Sequence, residues 1–73
     1  SKGGTEDLKQ ALAALRNGNC FKAQQHLFFA VEEGNTEAMF RMGLAYRGGG
    51  FGWSVNLPNA VMWLRKAAEL EYG

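Results

Sequence analysis

The feature that most constrains this chain is a set of residues that recurs at fixed spacings. One set reappears 37 residues later: Ala23, Ala30 and Glu32 recur at Ala60, Ala67 and Glu69. A second set reappears 31 residues later: Leu8, Ala14 and Leu15 recur at Met39, Ala45 and Tyr46. The difference of 6 residues falls in one loop, which is short in the first copy and long in the second. This self-similarity predicts two copies of one helix–turn–helix unit.

Apolar periodicity and turn residues divide the chain into four predicted helices. They cover about 5–16, 20–33, 36–46 and 57–70. Thr5, Asn19, and either Asn35 or Thr36 are the expected N-terminal caps of the first three, because their side chains can accept a hydrogen bond from a free backbone N–H. Pro58 falls in the first turn of the fourth helix, where its missing N–H is tolerated. The connections after the first and second helices are short, so neighbouring helices should lie antiparallel.

The third helix and the loop after it suggest where the interior lies. Apolar residues cover nearly the whole circumference of the third helix, which predicts a helix buried on several sides in the middle of the molecule. The glycine-rich loop that follows, 47–57, has Phe51, Trp53 and Val55 at alternate positions, and we expect the loop to fold its aromatic side chains back onto the helices. The fold class is therefore all-α, with two antiparallel helix–turn–helix repeats (four helices) stacked on each other.

The repeat also sets the expected organisation of the chain. Residues 1–4 have no periodicity and are expected to be a disordered start or a tag remnant. The first helical repeat is expected to span 5–35 and the second to span 36–73.

Composition excludes several functional classes. Eight basic and seven acidic residues give a net charge of +1, without the basic excess typical of nucleic-acid-binding or membrane-surface proteins. No apolar run approaches the roughly 20 residues that cross a bilayer. Cys20 is the single cysteine, so no disulfide can form within the chain, and Cys20 and His26 alone cannot complete a closed zinc site. We expect no nucleic-acid or membrane partner, no metal, and a weak leaning to the cytoplasm.

Catalytic constellations are also missing from the sequence. The glycine run at 48–52 lacks the Lys-Ser/Thr pair and the preceding strand of a phosphate-binding loop, so its glycines are expected to serve the turn. His26 and Cys20 lie six residues apart, and no carboxylate or serine is expected to complete a triad around them. His26 should instead pack in the place that Trp63 fills in the other unit. The sequence therefore predicts no enzyme, no catalytic residue and no cofactor.

The second unit resembles a known family. Ala38 to Tyr46, AMFRMGLAY, resembles the A-x-x-x-L-G-x-x-Y helix of the Sel-one-like repeat, and Gly50 to Trp53 is similar to its G-x-G-V loop. Ala60 to Glu69, AVMWLRKAAE, matches the family's A-x-x-W-x-x-K-A-A-E. Glu71 stands where the family has glycine, and the shorter first unit looks more like a tetratricopeptide repeat. The resemblance implies a short right-handed αα-superhelix of the kind found in protein–protein adaptors.

In such superhelices the first helix of each pair lines the concave face, which yields a candidate partner-binding set. Its members are Glu37, Phe40, Leu44 and Arg47 on the third helix, Glu6, Lys9 and Arg16 on the first, and Trp53 in the loop. Phe40 and Leu44 would form the floor of a shallow groove, and Arg16 and Arg47 its rim, suited to an apolar residue beside an acidic one. In the alternative, Phe40 and Leu44 simply pack on the first helix.

Two functional hypotheses follow. In the first, the chain is a scaffold module that binds a peptide or helix of a partner protein. In the second, it is a structural or self-associating fragment of a longer repeat array, which could be attached to an enzyme that it regulates, because two repeats bury little core and about three are usually needed.

Overall fold

Four α-helices make up nearly all of the chain. The computed structural model describes residues 2–72, with side chains for 3–71. The helices are α1 (Thr5–Arg16), α2 (Cys20–Glu32), α3 (Thr36–Gly48) and α4 (Leu57–Tyr72), with short 3₁₀ turns at Lys2–Gly4 and Gly50–Gly52. No strand occurs between residues 2 and 72. The predicted all-α class with four helices is confirmed.

Asparagine side chains begin three of the helices. The Oδ1 atom of Asn19 accepts a hydrogen bond from the N–H of Lys22 at 3.1 Å, and that of Asn35 accepts from Ala38 at 2.8 Å. Asn56 accepts in the same way from the N–H of Asn59, at 3.1 Å, at the start of α4. These bonds satisfy backbone donors that have no partner inside the helix.

The start of α1 differs from the prediction. Thr5 is already helical, and Gly4 precedes the helix with a left-handed φ of 79° and no side-chain cap. The prediction of Thr5 as the cap was wrong because Lys2–Gly4 form a 3₁₀ turn that leads directly into α1. A Cβ on Gly4 would lie 2.7 Å from the backbone of Ala30, so this turn packs closely on α2. Ser1, the first residue of the expected disordered start or tag remnant, lies outside the described residues.

The helices form two antiparallel hairpins, which we call hairpin 1 (α1 and α2, joined by a short turn) and hairpin 2 (α3 and α4, joined by the loop 49–56). The contacts within each hairpin are far more extensive than those between them. In hairpin 2 the close approach depends on Gly43, where a Cβ would lie 2.6 Å from the side chain of Leu64. The two hairpins meet mainly where α2 contacts α3 and the turn Gly50–Gly52.

Burial supports the register of the repeat. The recurring alanines are buried in both hairpins: Ala23 and Ala60, Ala30 and Ala67, Ala14 and Ala45. Leu8 and Met39 are also both buried, and Leu15 and Tyr46 both pack partly buried against the core. Side chains of both hairpins join in one hydrophobic cluster. Residues at equivalent positions therefore have the same packing role in the two hairpins.

The structure bears on the predictions for the third helix and the loop after it. α3 is contacted by α2 on one flank and by α4 on the other, as predicted, and Phe40 remains half exposed. Phe51 is buried and Trp53 packs against the core, as predicted, while Val55 has 58% of its surface exposed. The loop is shorter than expected because α3 continues to Gly48.

Candidate binding surface

A groove runs between α3 and α4 on the open side of hairpin 2. Its volume is about 500 Å³. The lining residues come from both helices: Thr36, Glu37, Phe40, Leu64, Ala67, Ala68 and Glu71. We call this surface the α3–α4 groove.

Side-chain size explains why the groove is open. Gly43 brings the two helices together at Leu64, whereas Ala67 and Ala68 are too short to fill the space farther along α4. Phe40, on the facing side, leaves 49% of its surface exposed. A half-exposed phenylalanine beside small apolar residues forms an exposed hydrophobic surface, and its burial by a partner would be energetically favourable.

Carboxylates lie at the groove. Glu37 belongs to α3 and Glu71 to α4, and both are exposed. Arg41 pairs with Glu37, its NH2 nitrogen 2.9 Å from Oε2 and its Nε donating to the same oxygen at 3.0 Å. Since this pair is solvent-exposed, it contributes little to stability, and the carboxylate is available to a stronger partner.

Exposed apolar side chains continue from the groove along α4. Leu57, Val61, Met62 and Leu70 each expose at least half of their surface. A second, shallower depression of about 450 Å³ lies beside Val61 and Met62 and is bordered by Arg65 and Lys66. By contrast, none of the large exposed hydrophobic residues in the described chain belongs to α1.

The predicted partner-binding residues are distributed over three places. Glu37 and Phe40 line the α3–α4 groove, while the half-buried Leu44 and the exposed Arg47 follow Phe40 on the same face of α3 without lining it. The remaining predicted set lies elsewhere: Glu6, Lys9 and Arg16 on α1, and Trp53 at the junction of the hairpins.

The three α1 residues are exposed but do not share a groove with Phe40. α1 packs along α2, and the principal contacts between the hairpins are made by α2 rather than α1. The groove is instead completed by α4 residues that were absent from the predicted set: Leu64, Ala67, Ala68 and Glu71.

Trp53 holds the two hairpins together. Its ring stacks on Tyr46 with centroids 4.9 Å apart and meets Phe28 of α2 edge to face at 5.6 Å. The side-chain amide of Gln24 donates to the carbonyl oxygen of Phe51, which has an unusual positive φ of 57° for a bulky residue. These contacts between α2 and the loop give Trp53 a structural role at the junction.

A carboxylate accompanies His26, a pairing that was not predicted from the sequence. Asp7 of α1 places Oδ1 3.1 Å from Nδ1 of His26, and both side chains are about one quarter exposed, 26% and 24%. Phe29 meets the imidazole edge-on at 6.1 Å. Periodicity puts Asp7 on the inner side of α1, but the pairing across the hairpin depends on how the two helices pack, which spacing alone does not reveal.

The His26–Asp7 pair links α1 to α2, as a side-chain contact across the hairpin. Chemical catalysis by such a pair needs a nucleophile or substrate-binding group within hydrogen-bond reach. Cys20 is the first residue of α2, six positions before His26, and lies beside the turn at Gly52. Among the described residues, no group of three or more His, Cys, Asp or Glu side chains is placed to bind a metal.

Comparisons of the chain with protein families, curated proteins and solved structures found no match. Within residues 2–72, every helix is too short or too polar to cross a membrane.

Proposed function

We propose that this chain is a non-enzymatic protein–protein interaction module, an adaptor or scaffold, that binds an amphipathic helix of a partner protein in the α3–α4 groove. The observation that carries the proposal is Phe40, half exposed in a groove floored by Leu64 and two alanines. The groove replaces the predicted site between the first and third helices.

The shape and chemistry of the groove support a helical partner. Grooves between two helices commonly accept the apolar face of a third helix, with anchor residues at i, i+3, i+4 and i+7. Ala67 and Ala68 allow the partner backbone to approach closely, and Phe40 and Leu64 offer apolar contact area. Glu37 and Glu71 favour lysine or arginine beside the partner's apolar residues.

The resemblance to Sel-one-like repeats supports the same class of function, because that family works through helical hairpins that hold other proteins. We assign the chain to this family on the residues of hairpin 2 that follow its pattern, as part of the proposal. The unpaired, exposed Cys20 supports a reducing compartment such as the cytoplasm.

The test is a titration of the protein, labelled with nitrogen-15, with a synthetic amphipathic helical peptide. The peptide has leucines at i, i+4, i+7 and i+11 and lysines flanking that stripe. We expect amide shifts to move around Phe40, Leu64 and Ala68. The control peptides keep the composition but scramble the order, or replace lysine by glutamate, and both should bind about tenfold more weakly.

Two phenylalanines of equal exposure provide matched protein variants. Phe40 exposes 49% of its surface in the groove, and Phe29 exposes 50% on α2, away from the groove. Phe40→Ser should reduce peptide affinity by about tenfold or more, whereas Phe29→Ser should leave it unchanged. Equal losses in the two variants, or shifts confined to α1 and α2, would rule out the groove.

A second candidate function is self-association, or membership of a longer repeat array that regulates an attached enzyme. The exposed apolar residues of α4 favour it, because a repeat buries such a face on its neighbour. Sedimentation velocity over a hundredfold range of protein concentration tests it. A size that rises with concentration, and returns to monomer in Val61→Glu, would support this function; a constant monomer would exclude self-association.

A further inference from the structure

The register of the repeat makes each α4 residue the equivalent of an α2 residue 37 positions earlier. The alanines that define this register are buried in both helices. On the side of α2 that faces hairpin 2, the register relates Gln24 to Val61, Leu27 to Leu64 and Val31 to Ala68. These three pairs can therefore be compared as one surface that occurs twice.

On α2 this surface is covered. Leu27 is fully buried and Val31 nearly so, in a cluster that includes Met39 and Met42 of α3. Gln24 donates to the carbonyl oxygen of Phe51 in the turn that follows α3. α3, whose buried Met39 and Met42 belong to the same cluster, and the aromatic turn after it thus cover this surface within the molecule.

On α4 the same surface is open. Val61 exposes 53% of its area, Leu64 is only partly buried, and Ala68 is exposed. Leu64 and Ala68 also line the α3–α4 groove, so the groove and the open surface are continuous. The surface that α3 covers on α2 is therefore exposed to solvent on α4.

A second copy of the chain does not supply the missing helix. The methionine face of α3 is already buried in its own molecule, with Met39 and Met42 almost inaccessible. The equivalent apolar residues of α1, Leu8 and Ala11, are buried as well. A head-to-tail copy would bring the polar side of α1 onto an apolar surface, which is unfavourable.

We infer that the surface formed by Val61, Leu64 and Ala68 binds a helix of another protein that carries the pattern of α3. This inference rests on the proposed function and specifies the partner: alanine and methionine at the positions of Ala38, Met39, Met42 and Ala45, and an aromatic residue after the helix. The aromatic residue would lie near Arg65, the equivalent of Phe28, which contacts Trp53 in the intact molecule. Arginine binds an aromatic face by a cation–π contact.

The chain's own sequence provides the probe. A synthetic peptide of residues 35–54, acetylated and amidated, is added to the full protein labelled with nitrogen-15. We expect saturable amide shifts at Val61, Leu64 and Ala68. Replacing both methionines of the peptide by lysine should weaken binding about tenfold or more, since two apolar anchors are lost.

Matched protein variants locate the site. Val61 and Leu70 have nearly equal exposed fractions, 53% and 55%, and lie on different sides of α4. Val61→Glu should reduce the affinity for the peptide about tenfold, whereas the Leu70→Glu variant should bind the peptide as tightly as the unaltered protein does. Circular dichroism checks that both variants keep the helical signal.

Several outcomes would overturn the inference. Shifts at Leu27 and Val31 without shifts on α4 would show that the peptide displaces α3 instead. If the lysine-substituted peptide bound with the same affinity as the unaltered peptide, binding would not depend on the α3 pattern. A dimer that depends on Val61 would show that the occupant is a second copy.

The two proposals fail separately. If the leucine–lysine peptide binds at Phe40 and the peptide of residues 35–54 does not bind, the adaptor function stands and the partner pattern is wrong. If neither peptide binds, both proposals fail.

Discussion

Hairpin 1 and hairpin 2 are built on one register but differ in what covers their second helix. Leu27 of α2 is fully buried, whereas the equivalent Leu64 of α4 is only partly buried. The alanines at the helix crossings are buried alike in both hairpins. The comparison separates two contributions: residues that close a hairpin are buried alike in both hairpins, whereas residues that join one hairpin to another are buried only where a neighbouring helix covers them.

The largest expected difference is between the two equivalent leucines. Leu27→Ala should reduce the free energy of unfolding by about 3 kcal/mol, because it removes a fully enclosed side chain and leaves a cavity. Leu64→Ala should reduce it by about 1 kcal/mol, since that side chain is already partly in water. Urea unfolding followed by circular dichroism measures both.

Because a chain of this size has only about 4 to 11 kcal/mol of stability, Leu27→Ala could be largely unfolded. In that case Leu27→Val supplies a milder comparison with Leu64→Val. Equal losses at the two positions would mean that α4 is covered in solution, and the distinction between the hairpins would be lost.

The next largest effect concerns the junction. Trp53→Ala should reduce the free energy of unfolding by about 2 kcal/mol, because stacking on Tyr46 and the edge contact with Phe28 are both lost. The hairpins should also unfold less cooperatively, which lowers the slope of the urea transition. Val55→Ala in the same loop is the control, since Val55 is 58% exposed and should change stability little.

An unchanged slope and midpoint in Trp53→Ala would show that α2 and α3 alone couple the hairpins. The aromatic contacts of the loop would then be incidental to the junction.

A smaller effect tests the closure of hairpin 2. Gly43→Ala should cost about 1.5 kcal/mol, because the added Cβ would lie 2.6 Å from Leu64 and force α3 and α4 apart. Gly48→Ala is the matched control on the same helix: its Cβ meets no atom within 4 Å, so higher helix propensity should make it neutral or slightly stabilising. Thermal unfolding of the two variants gives the comparison, and a stable Gly43→Ala would show that Leu64 moves aside freely.

The sequence predicted the roles of some residues in the fold and not of others. The recurring alanines and the asparagines act locally, through helix spacing and capping. The burial of the alanines and the cap at Asn19 were predicted, and Asn35 is the correct one of the two caps considered for the third helix. Thr5 was wrong as a cap because residues outside the periodic segment, Lys2–Gly4, form a turn that packs on Ala30. Local signals predict local structure.

The candidate binding surface was only half predictable, because it depends on the angle between helices. Periodicity placed Phe40 on an open face of α3, and the half exposure of its side chain agrees. Which helix completes the groove depends on how hairpin 1 meets hairpin 2, and that contact runs through α2 and the turn at 50–52. The expected partner helix α1, with Arg16, therefore lies outside the groove, and α4 takes its place.

The smallest expected effect tests most directly whether the surface of α4 around Val61 is exposed in solution. Val61→Gln gives α4 the side chain that α2 has at the equivalent position, Gln24. On an uncovered surface this replacement should change the free energy of unfolding by less than about 0.5 kcal/mol, because a half-exposed valine gives up little burial. Chemical denaturation at two protein concentrations makes the measurement. A loss above about 1 kcal/mol that grows with protein concentration would mean that Val61 is buried between molecules, and that the two hairpins differ less in solution than their exposed surfaces indicate.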